Sequence, residues 1–149
     1  MSLETRIMEE LKTAMKAKDE AALRTLRAIK AAIIIEKTSE GASDVISEAT
    51  ETKMLQKLAK QRRDSLDIFT KQNREDLAVK EREELVIIEK FLPAQMTIEE
   101  LHAELKAIIE QVGAKSAADM GKVMGVASKQ LAGKTDGKAI SDAVKQLLA

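Results

Sequence analysis

The stretch FLPAQMTIEELHAELKAIIEQVG, residues 91–113, contains both the break and the restart that decide the fold. Pro93 lacks a backbone N–H and disfavours the α region for Leu92, so a helix arriving through EELVIIEKF must end there. Thr97 and Glu100 then stand at the spacing of a capping box, with Met96 placed to staple onto Leu101. A new helix follows, with Leu101, Leu105, Ile108, Ile109 and Val112 as its apolar stripe and Gly113 as its C-terminal cap. The chain is therefore expected to form a helical N-terminal domain over 1–92 and a small three-helix C-terminal domain over 93–149.

Working outward, a period near 3.6 dominates in both directions and predicts seven helices. Ser2 caps a first helix with Leu3, Ile7, Leu11 and Met15 inward; Asp19 caps a second with Ala22, Leu23, Leu26, Ile29 and Ile33. Thr38–Ser47 is an internal loop, and Ser47 caps a third helix bearing Met54, Leu55, Leu58, Leu66 and Phe69. Asn73 and Asp76 read as the start of a fourth, with Leu77, Leu85, Ile88, Phe91 and Leu92; the third and fourth form either a hairpin or one kinked rod. Beyond Gly113, Ser116 and Asp119 open a sixth helix. Gly133 and Asp136 precede a seventh with Ile140, Val144, Leu147 and Leu148. No alternating strand pattern competes, so the fold class is all-α.

Composition narrows function. The 25 Lys+Arg cancel the 25 Asp+Glu, so the basic footprint of a dedicated nucleic-acid binder is absent and any polyanion contact must be local. The absence of Cys removes thiolate metal sites, disulfides and cysteine nucleophiles. Charged residues interrupt the first dozen positions and no long apolar run occurs, which leads to the expectation of a cytoplasmic protein with no membrane partner. The single His102 has no ligand-spaced partner, so no metal is expected. GKTDGKA (133–139) lacks the first P-loop glycine, has Ala139 at the magnesium-binding position and follows a helix, so no nucleotide or other cofactor is expected.

Three clusters remain as candidate sites. Projection at about 100° per residue puts Arg62 within the apolar stripe of the third helix, and Glu81 and Glu84 within that of the fourth. A bidentate Arg62 link to Glu81 or Glu84 is the expected structural ion pair, since a planar guanidinium matches a carboxylate. Arg24, Arg27 and Lys30 rise along one flank of the second helix, as either a solvated face or a phosphate-contacting patch. In the tail, Gly121 and Gly125 sit on the shoulder of the Met120, Val123, Met124 stripe, where they admit a neighbouring helix or a nucleic-acid backbone. Lys122 and Lys129 project from the other side, and Lys134 and Lys138 flank the start of the seventh helix, whose free N–H groups offer a phosphate perch.

The runs LRAIKAAI (26–33), KQRRDSLDIF (60–69), REDLAVKEREELVIIEKFLP (74–93) and DMGKVMG (119–125) together resemble the GatB/YqeY family, specifically its free-standing YqeY-like proteins. DMGKVMG followed by GKTDGKAISDAVKQLL is similar to the tail of the B subunit of glutamine-dependent aspartyl/glutamyl-tRNA amidotransferases. The resemblance implies an all-α fold and a tail that helps hold tRNA. It also implies a family association with carbon-nitrogen ligases that use glutamine as amide donor, although the kinase-like core of the larger enzyme has no counterpart in this chain. The expected function is therefore a non-catalytic RNA-binding accessory module. Its RNA-contact candidates are Lys122, Lys134, Lys138, Gly121, Gly125, Arg24, Arg27 and Lys30, and no catalytic residue is assigned. A protein–protein adaptor using the Ile33–Ile35 edge and the groove between the two expected domains is the alternative, and an enzyme comes third. With two Phe and no Trp or Tyr, stacking on single-stranded bases is excluded, so the expected partner is tRNA read by shape and backbone, or a protein, and not DNA.

Overall fold

Polar caps and the alternation of buried faces set where each helix begins and ends in the computed structural model, which describes residues 1–39, 41 and 44–149. Within them the protein is all-α, with α1 (Leu3–Ala17), α2 (Glu20–Thr38), α3 (Glu48–Lys71), α4 (Glu75–Glu89), α5 (Ile98–Val112), α6 (Met120–Gln130) and α7 (Gly137–Leu148). The chain divides into two compact units, Met1–Pro93 and Ala94–Ala149. Their break falls one residue beyond the expected position because Leu92 is buried in the first core and carries Pro93 with it. Of the expected loop Thr38–Ser47, Glu40, Ala42 and Ser43 lie outside the described residues, and Thr38 belongs to the last turn of α2.

In the first unit the hydroxyl of Ser2, the carboxylate of Asp19 and the hydroxyl of Ser47 accept from the N–H of Thr5, Ala22 and Thr50, and so start α1, α2 and α3. Lys18 takes a left-handed conformation at φ 55°, and the following Asp19 N–H bonds Ala14 O at 3.0 Å, so the chain reverses within two residues. Leu3, Ile7 and Leu11 of α1, Leu23, Leu26, Ile29 and Ile33 of α2, Met54, Leu55 and Ala59 of α3 and Ile88 of α4 share one core. Thr25 is fully buried and gives its hydroxyl to Ala21 O at 2.8 Å, so its polar atom is satisfied within the helix.

Three local expectations are corrected. Met15 is 54% exposed and Ala14 takes its place in the core, because three four-residue steps from Leu3 turn the helix by about 120° and carry Met15 off the buried stripe. Leu66 and Phe69 are only half-buried: α3 spans about 36 Å at 24 residues, and the first-unit core draws on it only as far as Ala59. Asn73 does not cap α4. It adopts φ 56° as the turn residue that closes α3 and α4 into a hairpin, and Arg74 occupies the cap position, with its guanidinium held by Asp76 at 3.0 and 2.9 Å.

The second unit begins with the Thr97 capping box: Glu100 N–H bonds the Thr97 hydroxyl at 3.1 Å and the Glu100 carboxylate accepts the Thr97 N–H at 3.0 Å. Gly113 closes α5 at φ 69°. Leu101, Leu105 and Ile108 pack with Val123 and Ala127 of α6, Leu131, and Ile140, Ala143 and Val144 of α7. The approach to α5 is pinned to the α6–α7 turn, where Met96 N–H donates to Lys134 O and the Gln95 amide to Gly133 O, both at 3.0 Å. Ser116 and Asp119 hold the cap positions of a 3-10 turn over Ala117–Asp119 and of α6, but neither side chain bonds a cap N–H of these helices; the Asp119 carboxylate instead accepts the Lys115 N–H at 2.9 Å.

Candidate functional site

Charge in the second unit is separated by element. Residues 115–149 carry six Lys against three Asp, while four of the unit's acids, Glu99, Glu100, Glu104 and Glu110, belong to α5. Two of the three aspartates serve the backbone: Asp119 accepts from Lys115 and Asp136 accepts the Ala139 N–H at 2.7 Å. The Asp119 carboxyl is held below its ordinary pKa, first by that hydrogen bond and further by the charges of Lys122 and Lys115. Zero net charge thus conceals a lysine-rich stretch, which begins after Gly113 and runs to the C-terminus.

Val123 and Ala127 turn α6 into the core, and the opposite side carries Gly121, Lys122, Gly125 and Lys129. These four residues, with Val126 and Gln130, line an open hollow of about 400 Å³. The two lysines therefore share the glycine side, against the expectation that they project away from it; steps of three and four along a helix keep residues 122, 125, 126 and 129 together. A Cβ added at Gly121 or Gly125 would meet nothing within 4 Å. Packing of a neighbouring helix within the unit does not explain these glycines.

Lys134 and Lys138 are exposed on either side of the α7 start. The phosphate perch expected there is filled from within, because the Asp136 carboxylate caps Ala139 and places a negative charge at the positive end of the dipole. Any phosphate contact falls to the lysine side chains. Lys145, seven residues beyond Lys138 on the same stripe, extends the basic face; the amphipathic period of α7 was its available signal.

In the first unit Arg62 Nη2 lies 3.8 Å from Glu84 Oε1, with the two side chains 17% and 12% exposed. Arg24 Nε lies 3.8 Å from the same oxygen, and Arg24 Nη2 bonds Glu83 Oε2 at 3.2 Å. One carboxylate is thus shared between two guanidiniums, where a bidentate single pair was expected. Glu81 is pushed above its ordinary pKa, first by burial and then by the charge of Glu84, with Arg62 and Arg24 acting in the opposite sense.

This cluster removes Arg24 from the expected cationic flank. Three-residue steps lag by about 60° each, so Arg24 turns toward α4 while Arg27 and Lys30 turn away from it. Arg27 and Lys30 are exposed and form no salt bridge among the described residues. The Arg24 pairing joins residues 59 apart in sequence, and no local pattern announces it.

The model of the Yqey-like protein family matches residues 4–148, nearly the whole chain. This chain belongs to the YqeY-like family. It is 29% identical over 148 residues to the altered inheritance of mitochondria protein 41 of Pyrenophora tritici-repentis, covering 96% of this chain and 79% of that protein. It is 37% identical over 86 residues to the protein of the same name from Vanderwaltozyma polyspora, covering 58% of this chain and 46% of that one. With the Eremothecium gossypii protein it shares 32% identity over 108 residues, covering 71% of this chain and 58% of that one.

The names of these relatives state no enzymatic activity, and all three call the proteins mitochondrial. The expected cytoplasmic placement of the YqeY-like chain is therefore corrected. It rested on the charged residues among the first dozen positions and on the lack of long apolar runs, and neither feature distinguishes one aqueous compartment from another.

Proposed function

We propose that this YqeY-like protein is a non-catalytic RNA-binding accessory module whose second unit holds tRNA by its backbone. The observation that carries the reading is the separation of charge in that unit, which gathers Lys122 and Lys129 around the bare Gly121–Gly125 side of α6 and adds Lys134 and Lys138 at the α7 start. Lysines supply point charges for phosphate, and glycines without Cβ let a sugar–phosphate backbone lie close to the helix. The likeness of DMGKVMG and the following segment to the tRNA-holding tail of the amidotransferase B subunit supports the same reading. The family association with glutamine-dependent carbon-nitrogen ligation is then one of descent, with the chemistry belonging to the larger enzyme.

The test is a tRNA titration of the full chain at two salt concentrations. Binding is expected to be modest and to weaken steeply with salt, and Lys122→Gln/Lys134→Gln/Lys138→Gln is expected to reduce the salt slope by about 2–3 through lost counterion release. Changing the exposed Lys53, Lys57 and Lys71 of the first unit to Gln serves as the control. Equal binding by both triple variants would refute the site, and absence of tRNA binding by the parent at low salt would favour the adaptor reading.

A further inference from the structure

We propose that the outer face of the α1–α2 hairpin is a peripheral docking surface for an anionic lipid bilayer. Met8 and Met15 of α1 are 39% and 54% exposed, and Ile34 of α2 is 50% exposed. The Glu4–Lys37 ion pair joins the two helices. Met8, Lys12 and Met15 follow Glu4 at four, eight and eleven residues, along one stripe of α1. Ile34 and Lys30 precede Lys37 by three and seven residues, along one stripe of α2. The ion pair therefore stitches the two stripes into one continuous face.

The charges of this face match a phospholipid surface. Lys12, Lys16, Arg27 and Lys30 outnumber Glu9 and Glu20 along its length, with Asp44 and Glu51 confined to the end beside Glu4 and Lys37, and these four cations form no salt bridge among the described residues. Apolar side chains set among lysines can enter the headgroup boundary while their cations extend to the phosphates. A nucleic acid would engage the cations but leave Met8, Met15 and Ile34 in water, with no aromatic ring to stack. A partner helix would need a groove between α1 and α2, and the residues at that seam, Leu3, Ile7 and Leu26, are already buried. No helix among the described residues is long and apolar enough to cross a membrane, so the contact is peripheral.

Vesicle flotation of the full chain tests the proposal, using phosphatidylcholine alone and phosphatidylcholine mixed with phosphatidylglycerol. The parent is expected to float with the anionic vesicles only. Lys12→Gln/Arg27→Gln/Lys30→Gln is expected to lose binding by roughly fivefold per cation removed. Met8→Ser/Met15→Ser/Ile34→Ser is expected to weaken flotation several-fold with an unchanged thermal melt, since all three side chains are already substantially exposed. Failure of the parent to float overturns the proposal. So does loss in the cation variant alone, which would mean attraction to any polyanion without insertion. A cation variant that loses tRNA binding while the parent ignores vesicles would reassign the face to RNA and leave the α6–α7 site to its own test.

Discussion

Arg62 shows how one side chain can be placed by period alone and yet acquire an unforeseen neighbour. A guanidinium inside an apolar stripe requires a partner; Glu84 provides it, and Arg24 reaches the same oxygen from α2. Arg62→Met is therefore expected to cost about 1–3 kcal/mol by leaving a poorly solvated carboxylate, with Arg24 keeping the loss toward the lower end. Arg62→Met/Glu84→Leu should cost less than the single change, and a double-mutant cycle from denaturant melts measures the difference. Glu81 adds a pH dependence. Its pKa is raised in the fold, so between the ordinary carboxylate value and the raised one the native protein holds a proton that the unfolded chain has released. Stability falls as pH rises through that window. Glu81→Gln should remove the fall and leave the variant more stable than the parent at neutral pH, as thermal melts from about pH 4 to 7 would report.

At the scale of the element, α6 is the informative helix. Helix-interior glycine costs roughly 0.5–1 kcal/mol relative to alanine, and Gly125 has an ordinary φ with nothing within 4 Å of an added Cβ. Gly125→Ala should therefore stabilise the second unit by about that amount in a denaturant melt, while reducing tRNA affinity in the titration. Destabilisation would show that a neighbouring helix uses the position after all. The α3–α4 hairpin carries the opposite lesson. Its turn depends on Asn73 at φ 56°, a conformation that asparagine tolerates better than most residues, yet the asparagine first reads as a cap because the same side chain suits both roles.

For the whole molecule, each unit has a core of its own, and the buried residues of the second come from α5, α6 and α7, with Leu131 between the last two. Residues 94–149 expressed separately are expected to melt cooperatively by circular dichroism, at the low stability typical of so small a core; a non-cooperative melt would contradict a self-contained unit. The sequence by itself determined the all-α class and the Thr97 start of α5, because these follow from backbone chemistry and periodicity acting over a few residues. It also located the Arg62 problem and one of its solutions. Only the tertiary structure decided that Arg24 leaves Arg27 and Lys30 to join Glu83 and Glu84, and that Gly121 and Gly125 open outward with Lys122 and Lys129. It likewise left Met8, Met15 and Ile34 exposed on α1 and α2. Helical period places a residue on one helix to within a few tens of degrees, but which side of that helix is covered depends on contacts between segments far apart in the chain, and local spacing does not encode them.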